Sequence, residues 1–591
     1  MHSFSIIDGY IDEPTCLGVP PYISPYPRYI SGAIIDVIPQ ANISYYTIDQ
    51  IRNTPELLKK IYKTDMVIFI AGISVPGKYL AGYPASYQEI KKIAAQLPTS
   101  TKILCGPAAK YGMASFGGKK PKSLDDTNLF NMIISGDPEI IIYQFLKSNQ
   151  DPNTIRLDEK RKNASQISSF AEKGSMILKQ HPYFPQRIIT EIETYRGCSR
   201  SSTDGCSFCS EPFKGPPDFR KPEEIISEIK SLYQTGIRHI RLGNQPCLFS
   251  YMANDAKHKE YPRPNPDILK TLFSGIAEVG PDLKTFHIDN VNPGIIARYP
   301  EEAKEIAKII ISYHTPGDVA AFGVESVDPK VIDENNLKAD KNQVLKAIEL
   351  FNKLGKKRGS NGLPELLPGL NFVFGLLGET KKTYQLNYDF LKTILEQNLL
   401  IRRINIRQVI PIPGTKMGEI GPKIILRNIN FFKSFKYRVK HHIEHPLLQK
   451  LVPSWTKLTN VYMELWKGKH TFGRQLGSYP ILIGTHGNLS LHQSFDMIIT
   501  DHGFRSLTGF PTPFFINIYS RDCIQGLPGI GKKRAIRILK NRPFNTIDEF
   551  IKIFDDSKPI QNIIPHLSFS TDEKIHEHLN KLPKEYDRRL Q

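Results

Sequence analysis

Along residues 4–147, short apolar runs alternate with stretches whose apolar residues recur at helical spacing. FSIIDGYI, MVIFIAGISV, KILCGP and MIISGDPE each end in a loop containing Gly or Pro. Runs of that length, bounded by turn residues and separated by helices, predict a parallel, Rossmann-like α/β domain over residues 1–150. The polar stretch 151–185 reads as a linker. Strand and helix then alternate again from 186 to 420, with IITEIETY, IRHIRLG, KTFHID, VAAFGVES, GLNFVFG and INIRQVI as strands. No GxGxxG follows the first of these, which favours a partial (β/α) barrel over an open doubly wound sheet. Residues 421–470 read as a basic helical segment and 471–520, punctuated by Gly and Pro, as a small β-barrel. Residues 521–560 read as a helical hairpin and 561–591 as a C-terminal tail. The fold class is α/β overall.

At 591 residues the chain exceeds what one hydrophobic core supports, and its 40% apolar and 23% charged residues are those of a folded protein. Its formal charge of +19 favours polyanionic partners; the competing reading is a general compositional enrichment in Lys, accompanied by Ile and Asn, that needs no functional cause. No apolar run approaches the roughly 18 residues needed to span a bilayer, and MHSFSIIDGY lacks the pattern of a secretory signal. Seven cysteines, three of them clustered, point to a reducing compartment, hence the cytoplasm.

IITEIETY runs directly into Arg196-Gly197-Cys198, followed by Cys206 and Cys209. Thiolates are soft ligands suited to iron and sulfide, and three of them leave one iron of a [4Fe-4S] cluster open for a small molecule. Structural zinc is the competing reading; it needs a fourth ligand, for which Cys247 is the nearby candidate. The loop resembles that of the radical S-adenosylmethionine (SAM) enzymes, in which an aromatic, here Phe208, precedes the third cysteine. The first gap is seven residues where that family usually has three.

Further matches follow in the family's order. Gly243-Asn244-Gln245-Pro246 resembles the turn that meets the SAM amino group, and Gly323-Val324-Glu325-Ser326 the fourth-strand motif. Asn371 through Thr380 resembles the fifth-strand motif, and Gln408 through Thr415 the sixth. The resemblance implies a [4Fe-4S] cluster on Cys198, Cys206 and Cys209, with SAM held by Phe208, Gly243, Asn244, Gln245, Glu325, Asn371 and Gln408. It further implies cleavage of SAM to methionine and a 5′-deoxyadenosyl radical, driven by a donor such as ferredoxin or flavodoxin.

Residues 4–147 resemble the cobalamin-binding-type domain that precedes many radical SAM barrels, on Cys105-Gly106-Pro107 and Ser135-Gly136-Asp137-Pro138-Glu139. With no histidine between residues 3 and 180, any cobalamin there would lack an axial imidazole. The second cluster of methylthiotransferases needs three further cysteines in this region, where only Cys16 and Cys105 occur. Thr471 through Tyr519 resembles a TRAM-type barrel. Gly526 through Ala535 resembles a helix-hairpin-helix motif, which implies nucleic-acid contacts from Gly529, Gly531, Lys532, Lys533 and Arg534. Together these features predict a radical SAM enzyme acting on RNA, with tRNA foremost. The alternatives are a cobalamin-dependent radical methylase of a protein or small molecule, and a nucleic-acid-binding protein with a structural cluster.

Overall fold

The computed structural model describes residues 3–13, 16–73, 82–97, 100–114, 117–124, 128–148, 151 and 154–571. Five parallel strands, β1 (Ser3–Asp8), β2 (Asn42–Thr47), β3 (Met66–Ile70), β4 (Thr101–Cys105) and β5 (Met132–Ile133), form the N-terminal sheet in the order β2-β1-β3-β4-β5. In β3 every residue is buried, because alternate side chains enter two different cores. Met66, Ile68 and Ile70 join one apolar cluster, and Val67 and Phe69 join the other. The strand order reverses between β1 and β3, where sheets of this type form ligand crevices beyond the strand C-termini.

The stretch 151–185 is more than a linker. Ala164–Ile167, Ser168–Lys173 and Gly174–Gln180 are helical turns that bury Ala164, Ile167, Phe170, Ala171, Ile177 and Leu178. A few apolar residues among many polar ones suffice, because all of them face helix Tyr26–Val37 and the neighbouring core. The two elements touch backbone to backbone: a Cβ on Gly32 would lie 1.8 Å from the Phe170 carbonyl oxygen, and one on Gly174 1.8 Å from that of Arg28.

Six parallel strands follow, each hydrogen-bonded to the next in chain order: β6 (Ile189–Glu193), β7 (His239–Gly243), β8 (Thr285–Ile288, resuming at Asn290–Val291), β9 (Asp318–Glu325), β10 (Leu366–Phe374) and β11 (Arg403–Gln408). Among the described residues no pairing joins β11 back to β6, so the barrel is partial, as expected. Its free β6 edge is covered by Tyr22–Ile23 from the N-terminal region, paired parallel with Ile189 and Thr190. Helix Tyr26–Val37 then sends Arg28 onto Glu228 of helix Pro222–Thr235; both side chains are fully buried, and Arg220 completes the group. One apolar cluster runs without interruption from Phe4 to Leu447.

The C-terminal barrel begins earlier than the expected 471. Strands β12 (Lys457–Lys467), β13 (His470–Gln475), β14 (Leu482–His486), β15 (Ser494–His502) and β16 (Ser506–Pro511) close in the order β12-β13-β14-β16-β15. Register shifts between Leu458 and Val461 and between Met463 and Leu465 break the period-two pattern of β12, which conceals it in the sequence. Helices Arg521–Gln525 and Lys532–Asn541 pack on this barrel in one shared core. The first part of the expected tail is also folded: Ile563 is buried, and Leu567–Ser568 pairs with Phe514–Phe515. Residues 572–591 lie outside the described residues. No described helix is long and apolar enough to cross a membrane.

Candidate active site

The cysteine loop leaves β6 and is closed at its base, where Tyr195 and Arg196 pair antiparallel with Phe219 and Asp218. Inside it the Cys198 N–H donates to the Gly215 carbonyl (3.0 Å) and the Cys209 N–H to that of Cys206 (3.0 Å). Neighbouring elements clamp the Cys206–Cys209 turn. The Ser207 hydroxyl donates to Asn335 Oδ1 (2.7 Å), and the Ser207 carbonyl accepts from the Met417 N–H (3.0 Å).

The long first gap has a structural use. It places Arg200 so that its backbone N–H donates to Cys198 Sγ (3.4 Å) while its Nη1 donates to Cys206 Sγ (3.2 Å). The guanidinium is fixed in turn by Glu260 (2.6 Å) and Asn336 (2.7 Å). Burial pushes the Cys198 thiol up to about 11 and raises those of Cys206 and Cys209 as well. Lys338 answers this with positive charge. Burial disfavours its ammonium, but Glu325 and the three thiols outweigh burial and raise its pKa.

Cys198, Cys206, Phe208 and Cys209 line a cavity of about 560 Å³ together with Lys338. That volume lies within the range of cofactor and ligand sites. Glu325 at the end of β9, Asn371 of β10 and Arg407 of β11 line it from the barrel side. Opposite stand Ile73, Gly106, Pro107, Ser135, Gly136 and Asp137, from the loops after β3, β4 and β5. An ionic seam joins the two halves: Asp137 pairs with Arg196, and Arg161 bridges Glu139 and Glu193.

The expected SAM-binding residues divide into two groups. Phe208, Glu325 and Asn371 line the cavity. Gly243, Asn244, Gln245 and Gln408 do not, although Pro246 and Arg407 beside them do. Asn244, at φ 54°, donates its amide to Glu193 Oε2 (2.8 Å), and Gln245 is fully buried with its amide on the Leu242 carbonyl. Gly243 has the Glu191 carboxylate against its α-carbon. Gln408 is drawn into the packing of Gly117 and Gly118. Cys247 is separate from the other thiols: its Sγ accepts from the Asn292 N–H (3.2 Å) inside the apolar core. Among the described residues no three His, Cys, Asp or Glu side chains gather tightly enough for a single metal ion.

Arg200, Lys338 and Arg407 carry no motif and were missed by sequence reasoning. So was Tyr479, which reaches the same cavity from the β13–β14 loop of the C-terminal barrel. It is held at φ 52° with the Arg403 guanidinium 4.6 Å from its ring. The loop is anchored where the Ser478 N–H donates to His287 Nδ1 (2.9 Å) and the Tyr22 hydroxyl to the Gly477 carbonyl (3.2 Å).

The donor set fits an iron–sulfur cluster better than a closed ion site. It offers three soft thiolates at a cavity wall, two N–H groups aimed at sulfur, and cations that offset thiolate charge.

Residues 192–391 match the radical SAM superfamily domain. An uncharacterized protein from Methanocaldococcus jannaschii is 43% identical over 509 residues, 85% of this chain and 92% of that protein. An uncharacterized protein from Archaeoglobus fulgidus is 41% identical over 534 residues, 90% of this chain and 94% of its own. A tRNA-2-methylthio-N(6)-dimethylallyladenosine synthase from Rhodopirellula baltica is 24% identical over 268 residues, 44% of this chain and 49% of that enzyme.

Proposed function

Because the chain belongs to the radical SAM superfamily, in one family with the two archaeal proteins, we propose that it is an RNA-modifying enzyme with tRNA as its substrate class. When bound at Cys198, Cys206 and Cys209, the [4Fe-4S] cluster supplies the electron for reductive cleavage of SAM. The chain's own residues prepare that space. Arg200 donates to one sulfur through its side chain and to another through its backbone, and Lys338 offsets their charge. Glu325, Asn371 and Arg407 offer a carboxylate, an amide and a guanidinium to a zwitterionic, ribose-bearing ligand. The N-terminal loops and the cysteine loop wall the cavity from two sides.

One observation carries the RNA reading: a cationic helix N-terminus on a glycine hairpin, packed on a closed five-stranded barrel. Gly529 turns at φ 76°, where a side chain would collide with the Pro559 carbonyl, and the space above Gly531 is open. Helix Lys532–Asn541 begins there without a side-chain cap, so its first N–H groups, with exposed Lys532 and Lys533, suit a phosphate. The Rhodopirellula baltica enzyme, whose name specifies a tRNA nucleoside, supports this reading. The test compares modified nucleosides in tRNA from cells with and without the gene: loss of one nucleoside supports it, and identical profiles overturn it. We place the enzyme in the cytoplasm, where its six described cysteines, all free, stay reduced and a ferredoxin or flavodoxin can serve as donor.

A second reading, a cobalamin-dependent radical methylase, rests on the loops after β3, β4 and β5 sharing one cavity with the cysteines. They lie at the carboxyl ends of a parallel sheet and could cover a flat macrocycle there. Binding of cobalamin without an imidazole signature supports it; failure of the holoenzyme to bind cobalamin removes it.

A further inference from the structure

The strip 423–440 contains six basic residues and no acid, and its two arginines are engaged by neighbouring groups. The Arg427 guanidinium donates to the Glu379 carbonyl (3.1 Å), and Arg438 lies 3.7 Å over the Tyr388 ring. Lys433, Lys436 and Lys440 remain exposed on helix Ile429–Val439 and at its end. Beside them is an unusual group of rings. Tyr437, 61% exposed, stacks on His441 with centroids 4.2 Å apart and planes 28° from parallel. Phe504, 40% exposed at the tip between β15 and β16, meets His441 at 4.1 Å and His445 at 5.4 Å. The Lys440 ammonium lies 5.0 Å from the Phe504 ring.

Aromatic rings contribute most to stability when buried, so Tyr437 and Phe504, left exposed on either side of a shared His441, are poor packing devices. The nearby Glu444 does not supply negative charge to a ligand, because both its oxygens are bonded to Arg505 (2.6 and 2.5 Å). Two exposed rings, Tyr437 and Phe504, braced by His441 between them and flanked by cations, suit a chain that alternates flat bases with phosphates. A duplex, whose bases are already stacked, offers them nothing.

We propose that Tyr437 and Phe504, braced by His441 between them, form a stacking platform for unpaired bases of RNA, with Lys433, Lys436 and Lys440 contacting the adjoining phosphates. The proposal rests on the RNA reading above and adds a second contact region, specific for single strands, to the hairpin at Gly529.

The test measures binding of the full-length protein to a fluorescent single-stranded oligoribonucleotide and to a blunt RNA duplex over a salt series. The double variant Tyr437→Ala, Phe504→Ala should weaken single-strand binding about 5- to 150-fold, the range for losing one stacked base, with duplex affinity and salt slope unchanged. Tyr437→Phe should bind like the unaltered protein. Replacing the three lysines by Gln should instead reduce the salt slope by about two units. Thermal unfolding midpoints confirm that each variant is folded. Unchanged single-strand affinity in the double variant, or equal weakening for both RNAs, overturns the platform while leaving the RNA reading intact. If the unaltered protein binds neither RNA at low salt, both fall.

Discussion

Arg200 Nη1 donates to Cys206 Sγ across 3.2 Å, while the same residue's backbone N–H points at Cys198. A hydrogen bond and a positive charge at a thiolate both favour the more negative, reduced state of a cluster. Arg200→Met should therefore assemble a cluster whose midpoint potential lies below that of the unaltered protein. A potential titration followed by electron paramagnetic resonance measures it, and an unchanged potential would show that the guanidinium only braces the loop through Glu260 and Asn336.

Cys198→Ala, Cys206→Ala and Cys209→Ala should each abolish SAM cleavage by anaerobically reconstituted protein. Cys247→Ala should retain the cluster and the cleavage, because its thiol sits in the apolar core on the Asn292 N–H. Loss of iron and sulfide from the Cys247 variant would return the site to a four-thiolate reading.

Gly32→Ala should destabilise the fold by at least about 1–3 kcal/mol, since the new methyl must displace the Phe170 backbone rather than a side chain. Gly174→Ala should behave alike. A lowered thermal midpoint in both, with normal secondary structure, is the expected result.

Burial pushes the Asp8 carboxyl up to about 6, against the hydrogen bonds it accepts from Tyr45 and Tyr10. The folded chain therefore binds this proton more tightly than the unfolded chain does. Stability should fall as pH rises from about 4 to about 6, by up to about 3 kcal/mol from this group. Asp8→Asn keeps an acceptor and carries no charge, so denaturant unfolding of that variant should lack this part of the pH slope.

At the C-terminal hairpin the Arg534 guanidinium donates to the Gly529 carbonyl (2.8 Å) and braces the turn. Lys532→Gln with Lys533→Gln should then flatten the salt dependence of RNA binding by about 1.4 to 1.8 units, at roughly 0.7 to 0.9 per phosphate contact. Arg534→Gln should chiefly lower the stability of the hairpin. A change of about 2.1 to 2.7 units when Lys532, Lys533 and Arg534 are all replaced by Gln would instead mean that Arg534 leaves Gly529 to meet a phosphate.

The strands and the cysteine loop were legible because each depends on near neighbours: apolar runs of fixed length, turn residues, and thiols a few positions apart. Contacts between distant segments were not. Lys338 and Arg200 meet at the thiols from positions 138 residues apart, and no local pattern marks either. At the turn Gly243–Gln245 the contacts are likewise not legible from the motif. Its sequence suits a strand-end turn, but Glu193 and the Leu242 carbonyl take up its amides. Lys457–Lys467 was hidden by its register shifts, and 164–180 by polar residues around a short apolar face.

The two residues Tyr22 and Ile23 bind the first half of the molecule to the second in time as well as in space. They lie beside Ile189 and Thr190, which leave the ribosome roughly 165 residues later, or about ten to thirty seconds at ordinary rates of synthesis. Until then the nascent N-terminal region holds a strand with no neighbour. The module at the front of this chain therefore cannot be exchanged as a cassette without leaving the first barrel strand with an open edge.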